Sequence, residues 1–127
     1  MKKHSITITK ITCNSASEIG HDEVYLKYQS DAGVTFRFPK DRDDSESMEK
    51  NDIWTPELTD PNGNQRPLTL YFEYEALVTL WDKDETKLYI NDTYLQSYDF
   101  RPGSGSGQVT LSNLNGQKYT INYTYNN

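Results

Sequence analysis

Asp82 and Asp84 stand two residues apart in the stretch 78–95, VTLWDKDETKLYINDTYL. The stretch opens as alternating apolar residues and turns abruptly acidic, with Glu85 next and Asn91 and Asp92 closing the loop. In an extended chain, side chains at i and i+2 point to one side. Two carboxylates so placed repel by roughly 1 kcal/mol in water and by more in a drier site. A hard cation is one way of holding them together, and oxygen-only ligands favour Ca²⁺ over softer metals. An ordinary turn with local caps and the intervening Lys83 is the other.

Further oxygen donors complete a candidate calcium set. Asp22 opens a predicted strand and Asp82 ends another, so two loops at one end of a fold can bring them together. With Asp84 and Asp92 they give four carboxylates, to which the Lys83 carbonyl and Glu18 add. Ca²⁺ takes about six to eight oxygens in a flexible arrangement that mixes carboxylates, carbonyls and water. The loop between the acids also carries Leu88, Tyr89 and Ile90. With Ile19 these form a candidate apolar tip for a membrane or partner, or else a short strand packing inward.

The elements that must position these residues read as β structure. Ten tyrosines and many threonines, valines and isoleucines favour strands. Residues 5–13 place Ile6 and Ile8 on one parity and Ile11 and Cys13 on the other, which predicts a bulge near Lys10. Strands follow at 23–29, at 34–38 (Val34, Phe36 and Phe38 on one face) and at 68–74 (Leu68, Leu70, Phe72 and Tyr74). Others are expected at 52–58, from 78 to Asp82, at 94–100, at 109–111 and at 119–125. Between them lie turn signals: 30–33, the DPNGN of 60–64, the glycine-rich 101–107 and Asn115-Gly116. The polar run 40–50 reads as a solvated loop. The expectation is a single all-β domain over 1–127, an antiparallel sandwich of about eight strands, seven to nine.

Composition bounds the partners. With 19 acidic and 13 Lys and Arg residues the chain carries −6, which argues against a nucleic-acid module. The single cysteine, Cys13, cannot close an internal disulfide and reads as buried filler. No apolar run has transmembrane length, and no signal-peptide pattern opens the chain; a cytosolic protein is expected. The two histidines, His4 and His21, make no catalytic set with a nucleophile, and no phosphate loop or zinc spacing is present. An enzyme is not expected.

Three stretches together resemble the C2 domain, the calcium- and phospholipid-binding β-sandwich. Residues 19–28, IGHDEVYLKY, are similar to its first calcium loop and following strand, with Asp22 at the Asp position. Residues 51–54, NDIW, resemble its Asn-Pro-x-Trp turn without the proline. Residues 78–84, VTLWDKD, match the strand that runs into the Asp-x-Asp of its third loop, which Asn91-Asp92 closes. Two departures stand out: the third loop is about two residues longer than is common, and the glycine expected after Asp92 is Thr93. The resemblance implies a module that docks in a calcium-dependent way on a phospholipid membrane or a protein partner. The tyrosine load supports an alternative: a calcium-independent recognition or structural sandwich of adhesin, lectin-like or toxin-accessory type.

Overall fold

The computed structural model describes residues 2–17, 21–42, 44–83, 92–103 and 105–127. These residues form twelve strands and no helix. Four short strands supplement the eight or so that the sequence predicts, and the antiparallel all-β sandwich stands.

Each of the two main sheets is built on one long strand. In the first, β1 (His4–Ser15) pairs along its length with β12 (Lys118–Asn126), which pairs with β11 (Gly107–Ser112). Two short strands share the other side of β1: β8 (Thr69–Phe72) on its first half and β5 (Ile53–Trp54) on its second. The second sheet repeats the plan. Its long strand β2 (Asp22–Ser30) pairs with β9 (Ala76–Asp82), and β9 with β10 (Thr93–Phe100). On the far side of β2 sit β3 (Thr35–Phe38) and β4 (Glu46–Met48). A separate hairpin joins β6 (Glu57–Thr59) to β7 (Gln65–Pro67).

The expected bulge in β1 is present one residue early. Ile8 faces Tyr123 and Lys10 faces Asn122, so Thr9 has no cross-strand counterpart. The extra residue moves Ile11 and Cys13 onto the face already used by Ile6 and Ile8, and all four are buried. Alternation does the same elsewhere. Ala76, Val78 and Leu80 of β9, with Tyr119, Ile121 and Tyr123 of β12, point between the sheets. Cys13 lies in this core, as expected of an apolar filler.

Three expectations need correction. The polar run 40–50 is not all loop: Glu46–Met48 pairs with Asp22–Val24, and Met48 is buried. The half of β2 that β3 does not reach takes β4 as its partner. The Arg37 guanidinium folds the intervening chain, donating to the carbonyls of Pro39 (2.6 Å), Arg42 (3.2 Å) and Asp44 (2.9 Å). Tyr74 does not continue the alternation of β8 and is exposed. The Asp31 carboxylate turns the chain there by accepting the backbone N–H groups of Glu73 (2.9 Å), Tyr74 (2.7 Å) and Glu75 (3.0 Å). Val34 falls just before β3, and both it and Phe36 are exposed, because β3 ends its sheet.

The β2–β3 turn carries strain that one substitution should relieve. Asp31 and Ala32 both have left-handed backbones, φ 52° and 59°, closed by Gly33 N–H to Ser30 O at 2.9 Å. Two left-handed residues suit a hairpin turn. Asp31 has its side chain to hold it there, bonded to Lys2 first and then to the three amides, which keep its carboxyl well below the usual carboxylate range. Ala32 has no such compensation and bears a cost of about 1–2 kcal/mol. Ala32→Gly should therefore stabilise the fold by about 0.5–1 kcal/mol, after the extra freedom of glycine in the unfolded chain is subtracted. Chemical denaturation of the two proteins measures this.

Candidate functional site

The acids singled out in the sequence divide between two places. Asp22 and Asp82 come together. They sit on the inward faces of β2 and β9, at the end of the sandwich where Ser17 and the 113–117 turn also lie. In the strand ladder Asp82 stands opposite Val24, so the inward parity of both strands delivers their acids to the gap between the sheets.

Protein donors fill that gap. The Gln117 side-chain amide donates from one nitrogen to both acids, to Asp22 Oδ1 at 3.0 Å and to Asp82 Oδ2 at 2.9 Å. The Ser17 N–H also reaches Asp22 Oδ1, at 3.0 Å, and the Tyr119 hydroxyl donates to Asp22 Oδ2. The Glu23 N–H donates to Asp82 Oδ1 at 2.9 Å. Among the described residues, Asp22 and Gln117 are the two buried polar side chains. Gln117 is aimed by Asn113: its Oε1 accepts from Asn113 Nδ2 at 2.8 Å, while its own N–H donates to Asn113 Oδ1 at 3.1 Å.

Electrostatics follow from this crowding. Burial first, and then the neighbouring Asp22 charge, push Asp82 up from 3.8 to about 6, against the pull of the Glu23 and Gln117 donors. Burial followed by the Asp22 carboxylate raises the Tyr119 phenol far above its usual range. Cys13, opposite Tyr119 in the ladder, is raised chiefly by burial. The Asp22–Asp82 pair is thus the polar end of the core, linking the two sheets through Gln117 and Tyr119.

Asp92 is placed otherwise. Its carboxylate accepts from the hydroxyl of Tyr25, which belongs to the opposite parity of β2 from Asp22 and packs on Trp81 with ring centroids 6.4 Å apart. Trp81 meets Tyr94 edge-on at 5.6 Å, and Lys27 lies over its ring. Lys83 continues from β9, its N–H bonded to Glu23 O at 2.7 Å. Glu18, Ile19, Asp84, Leu88, Tyr89 and Ile90 lie outside the described residues. His21 sits in the loop as expected, exposed and 3.5 Å from a Glu23 oxygen.

These positions bear on a calcium cradle. Among the described residues no three of His, Cys, Asp and Glu gather as a metal-holding group. A calcium ion needs oxygens turned toward one point. Here Asp22 and Asp82 turn oxygens toward an N–H₂ group, a donor that repels a cation. As arranged, the described residues do not fit calcium.

Gln117 and Tyr119 are the members of this cluster that the sequence reading passed over. Asn115-Gly116 marked the turn, and a turn at that place brings Gln117 and, at the inward parity of β12, Tyr119 to the acid end. Nothing in the local pattern distinguishes Gln117 from a solvated turn residue.

No protein-family model matches the sequence, and no curated protein sequence matches it. A solved structure does resemble the fold. It is that of CC2D1B, described as coordinating ESRCT-III activity during the mitotic reformation of the nuclear envelope. The TM-score is 0.54 at 7% identity, over 98% of this chain. The chain spans 54% of that structure's length. The fold is C2-like. At this identity the likeness is one of architecture, and the acid end above is described from this chain's own residues.

Proposed function

We propose that this chain is a recognition module that docks on a protein or membrane surface without calcium, and that its acid end serves the fold. One observation carries the reading: a single amide nitrogen of Gln117 donates to both Asp22 and Asp82. The C2-like fold and a neighbour described as coordinating another assembly's activity agree with docking. No enzyme activity is proposed.

A calcium-dependent reading rests on a different observation. Asp22 and Asp82 arrive at one end from two separate strands, with Lys83 following. In that reading Ca²⁺ recruits Asp84, Asp92 and Glu18, the Lys83 carbonyl joins, and Ile19, Leu88, Tyr89 and Ile90 form the docking tip. The Gln117 amide must leave before the ion enters.

Thermal unfolding with millimolar calcium and with chelator separates the two. A ligand at about 100 times its dissociation constant stabilises the folded state by about 2.7 kcal/mol, a shift of several degrees. The expected result is the same melting temperature in both buffers. A chelator-reversible rise that disappears in Asp82→Asn would overturn the calcium-free reading.

A further inference from the structure

Five of the eight large apolar side chains exposed among the described residues lie together, apart from Tyr74, Tyr94 and Leu114. Val34, Phe36, Ile53, Leu58 and Tyr71 all lie on or beside strands along one side of the sandwich: β3, β5, β6 and β8. On that side β3 ends the second sheet, β8 and β5 flank β1 in the first, and the β6–β7 hairpin pairs with neither sheet. Between β3 and β6 opens a groove of about 630 Å³. Its walls are strand edges, and its apolar floor is Tyr28, Phe36, Phe38 and Leu58. Tyr28 and Phe36 stack at 5.6 Å, and Phe36 is still 55% exposed.

We infer that the β3 edge is a docking site for an extended strand of an acidic partner protein. Such docking rests on the recognition role proposed above, with this edge as its surface and an acidic strand as its partner. The terminal strand of a sheet presents a row of unpaired backbone groups, a template for an added strand. Natural edges of this kind are blunted by proline, short length or covering elements. Thr35–Phe38 is itself short, four residues ended by Pro39, and its edge still faces an apolar groove. An added strand places every second side chain on the Phe36 and Phe38 side, so the partner alternates apolar residues.

Charge selects the acidic partner. The groove carries Arg37 and Lys40 against the single acid Glu57. Arg37 donates to carbonyl oxygens and lies over the Tyr25 ring at 4.0 Å, and Lys40 makes no ion pair among the described residues. The groove is therefore locally positive on a chain of −6, and a strand with carboxylates beside its apolar positions complements it. A second copy of this chain does not. Pairing β3 with β3 about a two-fold axis sets Arg37 and Lys40 against themselves, between molecules that repel overall.

Two capped eight-residue peptides test this, one alternating valine with glutamate and one alternating valine with lysine. Binding is read by calorimetry, and the site by amide hydrogen exchange. The acidic peptide should bind, slow exchange at residues 35–38, and bind at least about tenfold more tightly than the basic one. Lys40→Glu, an exposed position, should abolish that preference while leaving the melting temperature unchanged. Equal binding of the two peptides, no binding of either, or protection elsewhere would overturn the inference. So would a concentration-dependent dimer that masks residues 35–38, or phosphatidylserine vesicles held through Lys40 while neither peptide binds. None of these outcomes touches the calcium-free docking reading, which falls instead to the chelator-reversible thermal shift.

Discussion

Gln117→Leu should destabilise the protein by about 2–3 kcal/mol, the range for removing a hydrogen-bond donor from buried charged groups. The side chain is nearly isosteric, so little packing volume changes. What is lost is chemical. Asp22, fully buried, gives up one of its three donors, and Asp82 one of its two. The two carboxylates then face each other without the amide that bonded both. Asn113 also loses the acceptor for its amide. For a domain of this size the melting temperature should fall by roughly 10 °C. The 113–117 turn itself should survive, because the backbone N–H of Gln117 still reaches Asn113 Oδ1. Gln117→Glu supplies the control. It keeps the length but adds a third acid, so it should be worse than leucine at pH 7. It should recover below about pH 5, where a protonated glutamic acid donates again. A leucine variant as stable as the parent protein would show that the acid pair does not depend on Gln117.

Much of this arrangement was legible in the sequence, for reasons that can be traced to particular residues. The strand faces were readable because burial selects parity: Ile6, Ile8, Ile11 and Cys13 announced both the strand and its bulge. Asp22 and Asp82 were readable as a pair because each continues the inward parity of its strand, two residues beyond Val24 and Leu80. What occupies the space between them was not. Repulsion between two acids says that something must sit there, and it does not say whether a cation or an amide does. That choice is made by Gln117, ninety-five residues from Asp22 in the chain, and local pattern carries no information about such a contact. Tyr74 and Met48 failed for a similar reason. An Asp31 carboxylate that gathers three amides ended one strand early, and an unpaired half of β2 drew a strand out of a charged run. In each case a distant partner overrode the local signal.

Stability should fall as the pH rises from about 4 to about 6, and Asp82 should be the cause. Its carboxyl titrates near 6 in the folded protein against an ordinary 3.8, raised by burial first and by Asp22 second. A raised acid binds its proton more tightly when folded than when unfolded, so the native state holds more protons across that window. The stability it contributes is fully present below the unfolded value and is lost as pH climbs through the folded one. Two pH units correspond to about 3 kcal/mol at most. The groups facing Asp82 shape the curve: Asp22 raises it, and the Glu23 and Gln117 N–H groups hold it down. Asp31 and Asp60 act in the opposite sense. Their carboxyls are lowered by Lys2 and Arg66 in turn, and each loses its native preference as pH falls below the ordinary range. Glu46, raised chiefly by burial, and Glu75, raised chiefly by Asp99, add to the fall, so the stability maximum lies acid of neutrality. Asp82→Asn isolates the first of them. The amide keeps an oxygen for one donor and removes the charge, so the variant should match or exceed the parent at pH 7 and show a shallower fall between pH 4 and 6. Urea unfolding of both proteins at half-unit pH steps measures the difference. Parallel curves for the two would place the titrating group elsewhere. A convergence toward acid pH would identify Asp82 as the group whose ionisation the fold resists, and would explain why a donor as neutral as Gln117 stands between two acids.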